Sequence, residues 1–311
     1  MLSGIINIHK EKDYTSHDVV AIVRRLLGRV KTGHTGTLDP QAEGVLPICI
    51  GRATKLASYL TASDKSYRAQ LILGMTTDTY DHTGEILTTT SADTIPTDFN
   101  TIQEAVDFFV GGYMQLPPMY SALKIDGKKL YELARTGKTV ERKPRPITIS
   151  NITIIEKDLT NNRLWMDVDC SKGTYIRSLC VDIGEKLGCG GCMGNLIRTK
   201  SGAFTLDNAI RLSELEQMIQ SGDQSFLIPA DQALPAPKGI LKDFFTKAIN
   251  GHPVPLAQVI FKNENKPADG QHCWIYDKSN NLEDDTLIGL YAFNAKAQVF
   301  KPEVMMYANH T

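Results

Sequence analysis

Long apolar runs are missing from this chain of 311 residues. None approaches the roughly 20 residues that a membrane-crossing helix needs, so no membrane association is expected. The start, Met1-Leu2-Ser3-Gly4, lacks a basic segment, an apolar segment and a small-residue cleavage site, so no secretory signal is expected and the cytoplasm is the expected compartment. Cysteine is scarce, with six residues in the whole chain, which excludes a disulfide scaffold and points to reduced thiols. Cys189-Gly-Gly-Cys192 resembles half of a zinc or redox pair, but no second Cys-x-x-Cys and no spaced histidines accompany it, so neither metal nor redox function is expected. An excess of positive charge is missing too: 34 Lys and Arg stand against 35 acids, which excludes a uniformly basic nucleic-acid binder. Internal repeats and low-complexity tracts are also absent.

The composition, 42% hydrophobic and 22% charged, is that of an ordinary globular protein, and the length predicts a large domain plus a small one. Charge is segregated along the chain. Residues 124 to 145 carry eight basic side chains against three acids, and residues 61 to 123 carry two against eight. Such a run is either a solvated face or, interleaved with Tyr120 and Tyr131, a phosphate-contacting surface; Lys124, Lys128, Lys129, Arg142 and Lys143 are the candidates.

The chain is organised around Gly33-His34-Thr35-Gly36-Thr37-Leu38-Asp39-Pro40, followed by Gly44-Val45-Leu46-Pro47 and Gly51-Arg52-Ala53-Thr54-Lys55. Gly33 and Gly36 can take positive φ, and Asp39 is restricted by Pro40, which predicts a tight irregular loop that displays side chains. Val45 to Ile50 is a near-continuous apolar run of strand length, as expected for a buried strand under that loop. On the residues alone, Asp39 is either a turn-capping aspartate or a carboxylate presented for chemistry.

This run resembles the signature loop of the TruB family of tRNA pseudouridine-55 synthases, G-H-T-G-T-L-D-P, then G-V-L-P, then G-x-A-T-K. The resemblance implies that Asp39 is the catalytic residue and that His34 fills or supports the space the target base vacates. Four further segments extend it. Lys10, Thr15 and Ser16 match an N-terminal K-P-x-G-x-T-S motif, although Glu11 and Asp13 replace its proline and glycine; Asp tolerates left-handed geometry, so the turn can survive. Lys65-Ser66-Tyr67-Arg68 resembles a K-x-Y segment whose tyrosine stacks on the base, where the alternative for Tyr67 is half-buried packing. Gln115-Leu-Pro-Pro-Met-Tyr-Ser-Ala-Leu-Lys124 and Cys170-Ser-Lys-Gly-Thr-Tyr-Ile-Arg-Ser-Leu179 also match. In the latter, the resemblance places Tyr175 against the base and the Arg177 guanidinium beside the catalytic carboxylate, a task suited to a fixed fork of donors. Leu196-Ile197-Arg198-Thr199 before Gly202 resembles the last motif, whose leucine packs against the site.

Periodicity predicts a strand over Ser3 to Ile8 and a helix over Thr15 to Leu27, with a capping-box-like Thr15-x-x-Asp18 and a terminating Gly28. It also predicts a strand from Tyr67 to Leu73, a hairpin turn at Asp78-Thr-Tyr-Asp81 and Gly84, and a short basic helix from Gly127 to Thr136. Strands over Ile147 to Ile155 and Leu164 to Cys170 should flank an Asn161-Asn162 turn, and Ser213-x-x-Glu216 should cap a helix ended by Gly222. Pro229, Pro235 and Pro237 mark a linker. Beyond it, short strand-like runs alternate with turns at Asp269-Gly270 and Asn280-Asn281, with basic and acidic residues nearly balanced.

The expected architecture is α+β: residues 1–235 form a catalytic domain of pseudouridine-synthase type with a mixed, largely antiparallel sheet, and residues 239–311 a small β-rich domain resembling the PUA domain. The implied function is isomerisation of uridine-55 in the T arm of tRNA, with the nucleotide flipped out of its stack. The resemblance implies no cofactor, no metal and no obligate protein partner, and a monomer is expected. Two rivals stand beside it. A catalytically silent RNA-binding protein would not need a carboxylate near a polyanion, and a glycoside hydrolase would ordinarily need a second acid flanking the bond.

Overall fold

The structure is a computed structural model that describes residues 2–125, 127–261, 267–278 and 286–307. In chain order it opens with β1 (Gly4–Lys10), α1 (Ser16–Leu26), β2 (Thr32–His34), β3 (Glu43–Ile50), α2 (Ala57–Thr61), β4 (Lys65–Leu73) and the hairpin β5 (Met75–Thr77) and β6 (Ile86–Thr89). It continues through α3 (Phe99–Asp107), β7 (Gly111–Gln115), a small hairpin of β8 (Lys124–Ile125) and β9 (Lys128–Lys129), α4 (Leu130–Ala134), β10 (Arg145–Asp158), β11 (Arg163–Cys170), α5 (Ile176–Lys186), β12 (Gly191–Ser201), β13 (Phe204–Thr205) and α6 (Leu212–Ser221). It closes with α7 (Ala230–Ala233), β14 (Lys238–Leu241), α8 (Phe245–Ile249), β15 (Val254–Pro255), β16 (Val259–Phe261), β17 (His272–Asp277), β18 (Thr286–Asn294) and β19 (Val299–Met305).

The larger sheet runs β1-β3-β12-β4-β11-β10-β7, with β2 added to β3 and β13 to β12. Every pairing is antiparallel except β3 with β12, where Glu43 faces Ile197 and Gly44 faces Arg198. Gly44 takes φ +109 there, and a Cβ on it would overlap the Arg198 carbonyl, so only glycine lets these two strands close. The smaller sheet runs β15-β19-β18-β17-β14-β16, and of its pairings only β14 with β17 is parallel.

The apolar run in β3 is explained by burial on both faces. Leu46, Ile48 and Ile50 join Ile6, Ile8, Val19 and Val23 in the main core. Val45 and Cys49 point the other way and join Ile5, Leu56, Ala230, Trp274, Leu290 and Val304 in a second core shared with the smaller sheet. Each fully buried side chain of this size contributes about 1.5–3 kcal/mol of apolar transfer. Polar ties cross the same junction: Trp274 Nε1 donates to the Leu234 carbonyl at 2.8 Å, and the Tyr59 hydroxyl donates to Glu303 at 2.8 Å.

Most expected elements form within a residue or two of their predicted ends. α1 is capped by Thr15, with the reciprocal Asp18 bond in place, and Asp13 sits at φ +69, so the altered N-terminal turn survives. Four local expectations fail. Gly33 lies in β2 without positive φ, whereas Gly36 takes φ +139. The basic helix over Gly127 to Thr136 is one turn, because residues 128–129 pair with 124–125 as a hairpin. α6 begins one residue before Ser213, with Arg211 at the cap and its amide donating to Glu214 at 2.6 Å. The proline-marked linker contains α7, whose Ala230 and Ala233 are buried in the second core. Gly270 turns at φ +74 as expected, whereas the Asn280-Asn281 turn lies outside the described residues.

All six cysteines are buried and unpaired, Cys189 and Cys192 included. Among the described residues, no helix is long and apolar enough to cross a membrane.

Candidate active site

The loop that carries Asp39 is held at both ends by other parts of the chain. Ser16, at the start of α1, accepts the Leu38 amide at 2.9 Å, and the Thr35 amide reaches the Pro47 carbonyl of β3 at 3.1 Å. Lys10, fully buried, lies beneath the loop and donates to the carbonyls of Glu11, Pro40 and Ala42 at 3.0, 3.1 and 2.6 Å. Burial lowers its pKa to about 8, against the raising influence of Asp39 and Glu43. The turn at Asp13 docks onto the same loop through its amide, 3.0 Å from the Pro40 carbonyl.

Asp39 opens into a cavity of about 660 Å³. Its Oδ2 lies 3.1 Å from Arg177 Nε, and the carboxylate side is 43% exposed whereas Arg177 is 7% exposed. The other arms of the guanidinium go elsewhere: Nη1 donates to the Thr79 carbonyl at 3.1 Å and Nη2 to the Tyr120 carbonyl at 2.7 Å. Arg177 therefore gathers three separate segments, the Asp39 loop, the turn between β5 and β6, and the Gln115 to Lys124 stretch, around one rigid fork. The sequence leads one to expect the fork on the carboxylate alone; in the fold it is shared.

Tyr67, Tyr175 and Leu196 line the same cavity. Tyr67 is half-buried in β4 and packs against the main core, so it is both a packing residue and a wall of the cavity. Burial raises its hydroxyl pKa, while Arg198 beside it acts in the opposite sense. Tyr175 stands at the N-cap of α5, two residues before Arg177. His34 is not among the cavity-lining residues. It lies in β2 with its ring edge-on to His17, 5.2 Å between centroids. Its Nδ1 accepts the Gly36 amide at 3.2 Å, which leaves the ring proton on Nε2, and burial lowers its pKa.

The basic candidates are not brought into one patch with equal roles. Lys124, Lys128 and Lys143 are exposed, whereas Arg142 is half-buried and donates to the Pro117 carbonyl at 2.9 Å. The side chain of Lys129 lies outside the described residues.

Two residues of this site carry no role predicted from the sequence. Arg198 is 2% exposed, pairs across strands with Tyr67, and donates through Nε to the Val45 carbonyl at 2.7 Å. Its signal was the alternation of β12, which puts residues 196 and 198 on one face. Lys65 lines the cavity with its pKa lowered by burial to about 8. Among the described residues, no group of three or more His, Cys, Asp and Glu side chains is placed to hold a metal ion.

The fold is that of the pseudouridine synthases. A chain from the structure of an H/ACA RNP bound to a substrate RNA containing 2'-deoxyuridine superposes with a TM-score of 0.73 at 23% identity, covering 99% of this chain and 86% of that one. A chain from the archaeal box H/ACA sRNP Nop10-Cbf5 complex gives 0.71 at 24%, covering 99% and 87%.

Residues 24–176 match the TruB family pseudouridylate synthase N-terminal domain, and residues 177–235 match the tRNA pseudouridylate synthase B C-terminal domain. The tRNA pseudouridine synthase B of Alkaliphilus oremlandii is 51% identical over 279 residues, 89% of this chain and 91% of that one. That of Lachnoclostridium phytofermentans is 44% identical over 313 residues, covering 98% and 99%. The chain belongs to the TruB family, and it is an isomerase that makes pseudouridine.

Proposed function

We propose that this enzyme isomerises uridine-55 in the T arm of tRNA, flipping the nucleotide into the cavity beside Asp39. The observation that carries this reading is the Asp39–Arg177 pair, at 3.1 Å on the wall of a cavity large enough for a nucleoside. A base removed from its stack needs a replacement face, and Tyr67 supplies it, with Tyr175 and Leu196 closing the remaining walls. Asp39 acts in breaking the bond between C1′ and N1; the base then turns, C5 bonds to C1′, the C5 proton leaves and N1 takes up a proton, so that atoms and charge balance. Arg177 keeps the carboxylate aimed, and Lys10 holds the loop beneath it.

His34 is not among the residues lining the base cavity, and its role is to fill or support the space that the flipped base vacates. Lys124, Lys128, Lys129 and Lys143 contact phosphates, with Arg142 tying the segment that carries Tyr120. Residues 1–235 form the catalytic domain, and residues 239–311 form a PUA-like β-rich module. No protein partner is required, and the enzyme acts as a monomer in the cytoplasm.

The test is incubation with unmodified tRNA transcript followed by mapping of pseudouridine. Product at position 55, absent from a transcript with cytidine there, is the expected result. Product elsewhere, or none, would overturn the reading.

A further inference from the structure

We infer that Gln115 is a positioning residue for the reaction, gripping the backbone of Tyr175 so that Tyr175 and Arg177 stand correctly around Asp39. This rests on the role given to Arg177 above.

Tyr175 is the N-cap of α5, yet no side chain of its own segment caps the helix. A helix start leaves backbone groups that need partners, and here they come from another element. Gln115, at the end of β7 and 2% exposed, brings its side-chain amide to the Tyr175 backbone. The Tyr175 amide donates to Gln115 Oε1 at 2.8 Å, and Gln115 Nε2 donates to the Tyr175 carbonyl at 3.1 Å. The amide orientation follows from chemistry, since a backbone N–H can meet only the oxygen.

The second hydrogen of Nε2 is also used. It donates to the Tyr113 hydroxyl at 2.7 Å, and that hydroxyl donates to Asp182 Oδ2 at 3.1 Å. Asp182 lies two turns further along α5 with its pKa raised by burial to about 6. Ser178 adds a third tie, its hydroxyl donating to the Leu116 carbonyl at 2.8 Å. The end of β7 is thus fastened to α5 before and after Arg177, and every polar atom of the Gln115 amide is engaged. A purely apolar residue would fill the space but leave the Tyr175 amide without a partner and its carbonyl with the Leu179 amide alone, at 3.1 Å, so that this end of the helix is free to tilt. Since Arg177 is two residues on, such a tilt would carry its guanidinium away from Asp39, and a displacement near 1 Å can cost about a hundredfold in rate.

The experiment compares single-turnover conversion at saturating tRNA, tRNA affinity and melting temperature for Gln115→Met, Arg177→Lys and the double variant. The expected result is a loss of about 10- to 100-fold in rate for Gln115→Met, with affinity within threefold of the parent. In the Arg177→Lys background the same change should cost less than threefold, because what Gln115 positions is already impaired. Tyr113→Phe, which keeps the ring but removes the link to Asp182, should fall between parent and Gln115→Met. A Gln115→Met rate within threefold of the parent would overturn the inference. So would full multiplicativity of the two losses, or a loss that disappears on assay well below a lowered melting temperature, since each marks a residue that only stabilises the fold. A crippled Arg177→Lys beside an unimpaired Gln115→Met sinks this inference alone, whereas a near-normal Arg177→Lys sinks the role of Arg177 itself.

Discussion

Arg177 places its Nε 3.1 Å from Asp39 Oδ2. Its two remaining nitrogens are committed to the carbonyls of Thr79 and Tyr120. The guanidinium thus holds the Asp39 carboxylate and two backbone segments at once, while that carboxylate stays 43% exposed on the wall of the cavity.

Asp39→Asn keeps the shape and removes the charge and basicity. Turnover should fall by about 10²–10⁴-fold or more, with tRNA affinity and melting temperature close to the parent. Single-turnover assays decide it, and a rate within tenfold of the parent would remove Asp39 from the chemistry.

Arg177→Lys offers one compact charge where three directed donors are needed. The rate should fall by about 10- to 100-fold, and the part-buried Thr79 and Tyr120 carbonyls should lose the fork that they share, which should lower stability by about 1 kcal/mol or more. Denaturant unfolding beside the kinetic assay would separate the two effects. Parent-like values in both would show that the three segments do not depend on this fork.

Lys10 links pH to the catalytic loop. Its pKa of about 8 lies below the ordinary 10.5, so the folded enzyme loses this proton as pH rises through about 8 while the unfolded chain still holds it. A neutral amine has two hydrogens for three carbonyls, and turnover should decline above pH 8. Unfolding should behave oppositely for this residue: between about pH 8 and 10.5 the unfolded state binds more protons, so its contribution to stability rises with pH. The stability margin of the parent over Lys10→Met should widen across that window while the parent rate drops. A flat pH–rate profile to pH 9.5 would contradict the link.

The exposed lysines should separate from Arg142. Replacing Lys124, Lys128 and Lys143 by alanine should reduce the slope of log affinity against log salt by about 2–3 units in all, roughly 0.7–0.9 for each phosphate no longer neutralised. The rate at saturating RNA should barely change. Arg142→Ala removes the bond to Pro117 and should lower the rate instead, through the segment carrying Tyr120. An unchanged slope in the triple variant would place the RNA on another face.

Much of this was legible in the sequence because local chemistry and pattern agree. The Thr15 and Asp18 capping box, the apolar run of β3 and the Asn161-Asn162 turn are each specified by a few neighbouring residues. The 33–55 signature and the Tyr175 to Arg177 segment indicated which side chains belong together. What stayed hidden depends on distant partners. Nothing near Gln115 in the chain announces that its amide will cap a helix starting sixty residues later, and nothing near Arg177 says that its fork will be divided among three loops. The short α4 departs from the expected helix because a glycine and two lysines suit a hairpin as well as a helix start, and strand pairing decided between them.

The strand beneath the Asp39 loop is joined on its reverse face to the smaller sheet through Val45 and Cys49, with Ile5 of the neighbouring β1, against Trp274, Leu290 and Val304. The two sheets therefore share one apolar core there rather than each closing a core of its own. Cutting the chain after residue 237 would take Trp274, Leu290 and Val304 out of that core and leave the underside of the Asp39 loop's strand half-roofed, covered only by Leu56, Phe204, Ala230 and their neighbours.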